Sequence, residues 1–448
     1  VFVSAILCGA CVVQCAPAAR DAVRSPAGKT RNGTVLLAQN ETGNPDGDPW
    51  ELFEGRGYYA EGTLFHVPSS SVRVMLRQNQ SVAQLRASGT VTLHSGGTAG
   101  AVSFSGRAAV ERGDAADRVF VSAGSLGRFG VALPCTLLSE DKSGIVNIGD
   151  TECRGSVIIS AERGGTFSLL NYIDVEDYLR GVVPLEVGRG GPDVAEAVKA
   201  QAVAARTYTY RKMQDNAAAA YDVSATVADQ VYGGVSAETD ACSKAITDTR
   251  DEVMLFHDSL IYAYYHSTCG GKTANIEDAW SKAPLGYLRS VNDENGARGP
   301  FCTKSGAFTW EERWPLATFS NIVARFSRET FPQNPVSGEL RGVSIDSRFA
   351  CGRVKQCTVR TSKGTFVYGG DRIRFMFRRN LAGFPILKSA VITDLSLRDG
   401  TVVMKGRGYG HGVGMCQTGA LARSRTGQKY DEILRAYYTG ITIRKVAK

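Results

Sequence analysis

From about Gly62 to Leu170 the chain alternates apolar and polar positions in short runs broken by glycine: TLFHVP, SVRVML, GTVTLHSG, AVSFSG, DRVFVSAG, SGIVNIG, GSVIIS and TFSLLNYI. A period of two residues matches the pleat of a half-buried strand, and turn residues recur between the runs. The segment therefore predicts an antiparallel β domain. The pattern then changes. Residues 192–213, PDVAEAVKAQAVAARTYTYRKM, are rich in alanine and predict a helix. Gly191 is a candidate N-cap, and Pro192 falls at the first helical position, where a missing N–H costs nothing. Asp193 and Glu196 open the helix and Arg211 and Lys212 close it, as the helix dipole favours. Its alanines let a neighbour approach closely, so burial is expected. Further on, ITDTRDEVMLFHDSLIYAYYHST reads as paired strands ending at His266, and PLATFSNIVARFSRE reads as a helix. LRGVSIDSR, KQCTVRTSK, GTFVYGG, AVITDLSLRDG and TVVMKGRG read as strands, with a short helix near 372–379 between the third and fourth. Two short helices, 417–425 and 430–438, close the chain. The fold class expected is α+β, mainly antiparallel β with a few helices.

Composition refines this organisation. Residues 1–19, VFVSAILCGACVVQCAPAA, are apolar and uncharged, and Ala16-Pro17-Ala18-Ala19 resembles a signal-peptidase site. The segment reads as a signal peptide or a lipoprotein leader, although the usual positive start is missing and Gln14 before Cys15 departs from the lipid-attachment pattern. Residues 20–60 read as a flexible tether. Residues 61–446 read as one unit, with a β-rich part at 61–170 and a cleft-forming part at 171–446. The 43% hydrophobic and 21% charged content is that of a folded chain. A net charge of +8 favours acidic polymers or anionic surfaces. No basic helix with interleaved aromatics is present, which argues against nucleic acid as a partner. Of eleven cysteines, those beyond the leader are Cys135, Cys153, Cys242, Cys269, Cys302, Cys351, Cys357 and Cys416. Their even number suits an oxidising compartment, with Cys351–Cys357 and Cys135–Cys153 as candidate bridges.

Candidate chemistry concentrates in three places. Glu186 is an isolated carboxylate in VVPLEVGRGGP, read as a Pro- and Gly-flanked turn ahead of the alanine-rich helix. A solvent-facing turn glutamate is the default for such a residue. Two of the five histidines lie in loops dense with small residues: His266 in HSTCGGKT and His411 in GRGYGHGVGMCQTGA. For each, a structural hydrogen-bonding role competes with a chemical one, but binding groups concentrate in such loops. The glycine-rich run lacks the βαβ setting of a dinucleotide site, and there is no G-x-S-x-G elbow, Walker loop or H-E-x-x-H. His266, Cys269, Cys302 and Cys416 are chemically suited to zinc. A Cys269–Cys302 disulfide is the plainer reading in an exported protein, so no metal or other cofactor is expected, with zinc near His266 and Cys269 as the alternative.

Taken in order, NYIDVEDYLRGVVPLEV, EAVKAQAVAARTY, HSTCGGKT, GRGYGHGVGMCQTGALA and YDEILRAYYTG resemble the signatures of the SpoIID (stage II sporulation protein D) family, over about residues 70–446. Its members are peptidoglycan lytic transglycosylases or relatives of an amidase enhancer. The resemblance carries the family's catalytic glutamate to Glu186 and its helix arginine to Arg206. It matches the Gly-His-Gly-Val-Gly-Met loop at Gly410–Met415, with Cys416 where serine is more usual, and it matches Gln417. Substrate binding is expected from Arg206, His266, Ser267, Tyr409, His411 and Gln417. The helix 192–213 is expected to pack beside the catalytic cleft. A lytic transglycosylase needs one carboxyl, which protonates the glycosidic oxygen and then takes the proton of the muramyl C6 hydroxyl as that attacks C1. Ordinary glycosidases need two carboxyls. Val182, Val183, Leu185 and Val187 are expected to form an apolar pocket that raises the pKa of Glu186. Arg206 either binds substrate or lowers that pKa. Asp174, Glu176 and Asp177 are the rival acids, expected instead to cap and fix the turn. The implied protein is exported, periplasmic or at the cell envelope, and touches a membrane only through a leader or lipid anchor. It cleaves peptidoglycan glycan strands lacking stem peptides. The alternative is a non-catalytic glycan-binding enhancer of a cell-wall amidase.

Overall fold

The alternating runs fold as strands. In the computed structural model, which describes residues 65–66, 69–95, 101–139 and 145–447, Arg118–Ala123 buries every second side chain, as a sheet with one wet face requires. The strands between Ser71 and Asp174 join an eleven-stranded sheet. Its ladders are antiparallel except at one edge, where Val223–Ser224 runs parallel to Ser71–Gln80. Phe167–Asp174 lies inside this sheet, paired on one side with Ser71–Gln80 and on the other with Ser156–Ala161. The chain thus leaves a fixed strand straight into helix α1 (Val175–Val187). The leader and tether expected at 1–60 lie outside the described residues.

Helix α2 (Ala195–Asp215) follows a single tight turn at Pro192–Val194 whose N-cap is Gly191. The helix is buried on nearly every side from Ala197 to Tyr210, including Gln201, Arg206, Thr207 and Thr209, so it is enclosed by protein. Val198, Ala202 and Ala205 belong to a first core shared with the large sheet and α1. Ala197, Ala200, Val203 and Ala204 belong to a second core, built from the loops after Ile261 and the C-terminal helices. Small side chains on both faces let α2 act as a partition between the two.

The run ITDTRDEVMLFHDSLIYAYYHST divides differently from its reading as strands throughout. Its first residues end helix α3 (Asp240–Asp248), which Thr239 caps by accepting from the Cys242 N–H at 3.3 Å. Glu252–Phe256 and Ser259–Leu260 then pair as expected. Tyr265–His266 instead runs parallel to Met415–Cys416, a partner from the far end of the chain. Helix α4 (Ile276–Trp280) was not anticipated. Helices α5 (Leu316–Thr330) and α6 (Ile373–Met376), with two three-stranded sheets, enclose a third core from Trp310 to Met404. Helices α7 (Gln417–Arg425) and α8 (Tyr430–Tyr437) fall where the sequence reading placed them. Strand Thr442–Ala447 then pairs with Glu252–Phe256. The α+β expectation is met. No helix among the described residues is long and apolar enough to cross a membrane.

The disulfide expectations are corrected. Cys135, Cys153, Cys242, Cys269, Cys302, Cys351, Cys357 and Cys416 are all buried free thiols. Cys351 packs in the second core while Cys357 packs in the third, so their short sequence spacing does not bring them together. Cys135 and Cys153 share the first core as small apolar side chains.

Candidate active site

Glu186 sits not in a turn but in the last turn of α1. Asp174 starts this helix by accepting from the Glu176 N–H at 2.9 Å, and Glu176 and Asp177 load its first turn. Pro184 lies inside α1, and Gly188, at φ 93°, ends it just after Glu186. A proline ten residues into a helix usually breaks it. Here Val182, Val183 and Pro184 are all buried, so packing holds the last turn in place of the missing hydrogen bond. A Cβ at Gly181 would strike the Tyr232 ring, so that glycine lets the helix seat.

The Glu186 carboxyl is half-buried and makes two hydrogen bonds. Oε1 accepts from the Val231 N–H at 3.1 Å, and Oε2 accepts from Gln417 Nε2 at 3.4 Å. Burial raises its pKa above the ordinary carboxyl value, while both donors pull the other way. Its place at the negative end of the α1 dipole also disfavours the charged form. The surroundings are more polar than expected. Val182, Val183 and Val187 face the first core, and Leu185 is 47% exposed. The groups gathered around the carboxyl are amides instead. Gln417 Nε2 also reaches Gln201 Oε1 of α2 at 3.4 Å. Gln230 accepts from Tyr178 Oη at 3.2 Å and Thr209 Oγ1 at 2.9 Å and donates to the Ala205 carbonyl and Tyr265 Oη, pinning the loop that presents Val231. Gln201, Gln230, Val231 and Tyr265 were missed. The available signal was a glutamine, Gln201, within the apolar run EAVKAQAVAAR.

Arg206 is not a substrate-binding residue: it is fully buried and forms a two-pronged ion pair with Glu176, at 2.7 and 2.8 Å. Its remaining N–H groups donate to the Glu252 and Ile246 carbonyls, both at 3.2 Å. Glu176 opens α1 and Glu186 closes it, and ten residues of helix span about 15 Å. Arg206 therefore anchors the far end of the helix that carries Glu186. Glu176, one of the three rival acids, is thus tied up in an ion pair with Arg206.

The glycine-rich loop does what its composition implies. A Cβ at Gly412 (φ 85°) would collide with the buried Arg353 guanidinium, and one at Gly410 (φ 106°) would press on His266. His266 is buried, its Nδ1 bonded to the Val413 carbonyl at 3.2 Å, and its ring lies 5.6 Å from that of His411. His411 Nδ1 accepts from the Val413 N–H at 3.1 Å, and its ring packs on Trp280 at 4.7 Å. Burial holds both rings below the usual imidazole value, His266 well below it and His411 down to about 4. Both are neutral at neutral pH and form the inner wall of the loop. Neither makes a hydrogen bond to Glu186. Ser267 accepts through its carbonyl from the Thr418 N–H at 3.0 Å, fixing the start of α7. Tyr409 exchanges backbone hydrogen bonds with Thr268 and leaves its ring 43% exposed. Of the expected binding residues, Gln417 alone touches Glu186, and Tyr409 presents a free aromatic surface. Cavities of about 250 Å³ beside Glu252 and Tyr430, and of about 90 Å³ beside Leu316 and Leu340, lie away from Glu186.

With this geometry in place, likeness to known proteins is informative. A family model described as Stage II sporulation protein matches residues 163–256, the stretch that contains α1, α2 and Glu186. A second, described as a domain of unknown function (DUF8618), matches residues 298–414, which take in the third core. The chain is 30% identical over 282 residues to an uncharacterized protein of Brachyspira hyodysenteriae, covering 62% of this chain and 68% of that one. It is 30% identical over 286 residues to stage II sporulation protein D of Bacillus subtilis, covering 60% of this chain and 74% of that one. It is also 30% identical over 292 residues to the amidase enhancer of Bacillus subtilis, covering 59% of this chain but only 40% of that longer protein.

Proposed function

The chain belongs to the SpoIID family, and from that premise we propose that it is an exported, cell-envelope lytic transglycosylase. It cleaves the MurNAc–GlcNAc bond of peptidoglycan strands lacking stem peptides. The observation that carries this reading is Glu186: one carboxyl with its pKa raised by burial, in no ion pair among the described residues, and held by two N–H donors. A raised pKa keeps the proton on the group for delivery to the glycosidic oxygen. Once it is delivered, the Val231 and Gln417 N–H groups stabilise the carboxylate, each such bond being worth about 1.5–3 kcal/mol. That carboxylate then draws the proton from the muramyl C6 hydroxyl as this oxygen attacks C1. The products are a 1,6-anhydro end and a free GlcNAc hydroxyl, and no water is consumed. A single carboxyl thus suffices for both steps, unlike the acid–nucleophile or acid–base pairs of hydrolases. Tyr409 and Gln417 are the binding residues this reading retains, with His266, Ser267 and His411 shaping the loop behind them.

The amidase-enhancer relative supports a second reading, in which the chain holds glycan and stimulates a cell-wall amidase without cleaving anything. Purified chain incubated with stem-peptide-free strands separates the two by mass spectrometry. The first reading expects anhydromuramyl products from the wild type and a loss of about 10²–10⁴-fold in Glu186→Gln. Equal product from both proteins would remove Glu186 from the mechanism. Strands that sediment with the protein uncut would favour the enhancer.

A further inference from the structure

A second cluster lies apart from the Glu186 carboxyl and takes no part in the proposed chemistry. Cys269, Asp293, Cys302 and Cys416 are all buried, and one ligand atom from each falls within 4.8 Å of the others. They come from four separate segments: the loop after Tyr265–His266, the segment ahead of Gly296, the turn Phe301–Lys304, and the N-cap of α7. Cys269 Sγ lies 3.5 Å from Cys302 Sγ and 3.5 Å from Asp293 Oδ2. Zn–S bonds of about 2.3 Å in a tetrahedron place two thiolates about 3.8 Å apart, close to this spacing. Arg423 meets Asp293 on Oδ1 at 3.1 Å, so the oxygen that faces the sulfurs is Oδ2.

The surroundings are arranged around the same four atoms. Asp293 Oδ1 accepts from Tyr437 Oη at 2.7 Å and from Arg423 at 3.1 Å, which leaves Oδ2 turned to the sulfurs. The Cys416 sulfur accepts from the Cys269 N–H at 3.2 Å and the Gly419 N–H at 3.4 Å. Cys269 Sγ accepts from the Gly271 N–H at 3.4 Å. Ligands that are themselves held by outer hydrogen bonds are the mark of a metal site with its supporting shell. A Cβ at Gly419 would collide with the Asp293 carboxylate and Tyr437, so that position keeps the shell open. His266, the imidazole expected near this site, is engaged with the Val413 carbonyl and is not part of the cluster.

We propose that Cys269, Cys302, Cys416 and Asp293 form a four-coordinate structural zinc site that ties the HSTCGGKT loop and the 292–302 segment to the start of α7. Three thiolates and one carboxylate make a donor set suited to zinc. Binding releases the thiol protons to solvent and changes no oxidation state. Because Cys416 immediately precedes Gln417, the metal fixes the backbone from which that amide reaches Glu186. The site stands whether or not the chain cleaves glycan.

Metal analysis of the purified full chain, reduced and equilibrated with zinc sulfate and then freed of loose metal, tests this. The expectation is about one zinc per chain in the wild type and in Glu186→Gln, and at least a tenfold lower occupancy in Cys302→Ala. Tyr437→Phe keeps the ring and should weaken zinc affinity by about 10–100-fold. Cobalt(II) offered to the wild type should give intense visible absorption with a thiolate charge-transfer band, a readout that needs no variant to fold. Wild-type chain that takes up no stoichiometric zinc or cobalt overturns the site. So does recovery, from zinc-replete growth, of a chain two hydrogens lighter with Cys269 crosslinked to Cys302.

Discussion

Protonation of Glu186 is set by burial and the α1 terminus on one side and by two N–H donors on the other. The proposed acid step requires the protonated form, so on that reading turnover should fall as pH rises through the Glu186 pKa. Gln417→Leu removes a donor that favours the carboxylate. It should move that fall to higher pH and lower the maximum rate, because the returning base is less stabilised; a kcat–pH profile reads both. Arg206 has a different signature. Arg206→Met leaves Glu176 buried without its partner and should cost about 3–5 kcal/mol of stability. Denaturant melts check this, and a raised KM with unchanged stability would instead restore a substrate-binding role. The importance of Arg206 was legible in the sequence through its motif, but its task was not. Its partner Glu176 lies thirty positions earlier, on a helix that Pro184 concealed.

Elements were read well wherever a local period decided them and poorly wherever packing did. The strands from Ser71 to Asp174 follow from their alternation, and α2 follows from its alanine content, its Gly191–Pro192 start and its charged ends. Helix α1 does not, because Gly181, Pro184 and Gly188 each argue for a turn. Its last turn survives because Gly181 accommodates the Tyr232 ring and Val182 and Val183 enter the first core. Consequently Glu186 is held by a helix and not by a flexible loop, which suits a group proposed to give up one proton and then take another from the same position. The glycine-rich loop is tied down as firmly. Gly412→Ala would set a Cβ against Arg353 at φ 85° and should destabilise the loop by about 1–3 kcal/mol. Limited proteolysis should then cut between His411 and Val413 faster than in the wild type.

At the scale of the molecule, α2 separates a β-rich core from the core of loops and C-terminal helices, and Glu186, Gln201 and Gln417 meet across it. Sequence order showed that distant motifs belonged together, but not that they were amides closing on one carboxyl, since that depends on which faces meet. The buried imidazoles give this assembly a pH limit. His411 titrates at about 4 when folded against an ordinary 6.5, so unfolding takes up protons in between. Its contribution is intact above pH 6.5 and is lost as pH falls toward about 4. Melting temperatures should drop across that window, with a shallower slope in His411→Phe. The central claim, however, is that one carboxyl cleaves glycan without water. Digestion of stem-peptide-free strands in isotopically heavy water, with mass analysis of the new ends, tests it most directly. Cleavage by one carboxyl without water leaves ends lighter by one water and free of heavy oxygen, whereas heavy oxygen at the new reducing ends, or strands bound but uncut, would rule it out.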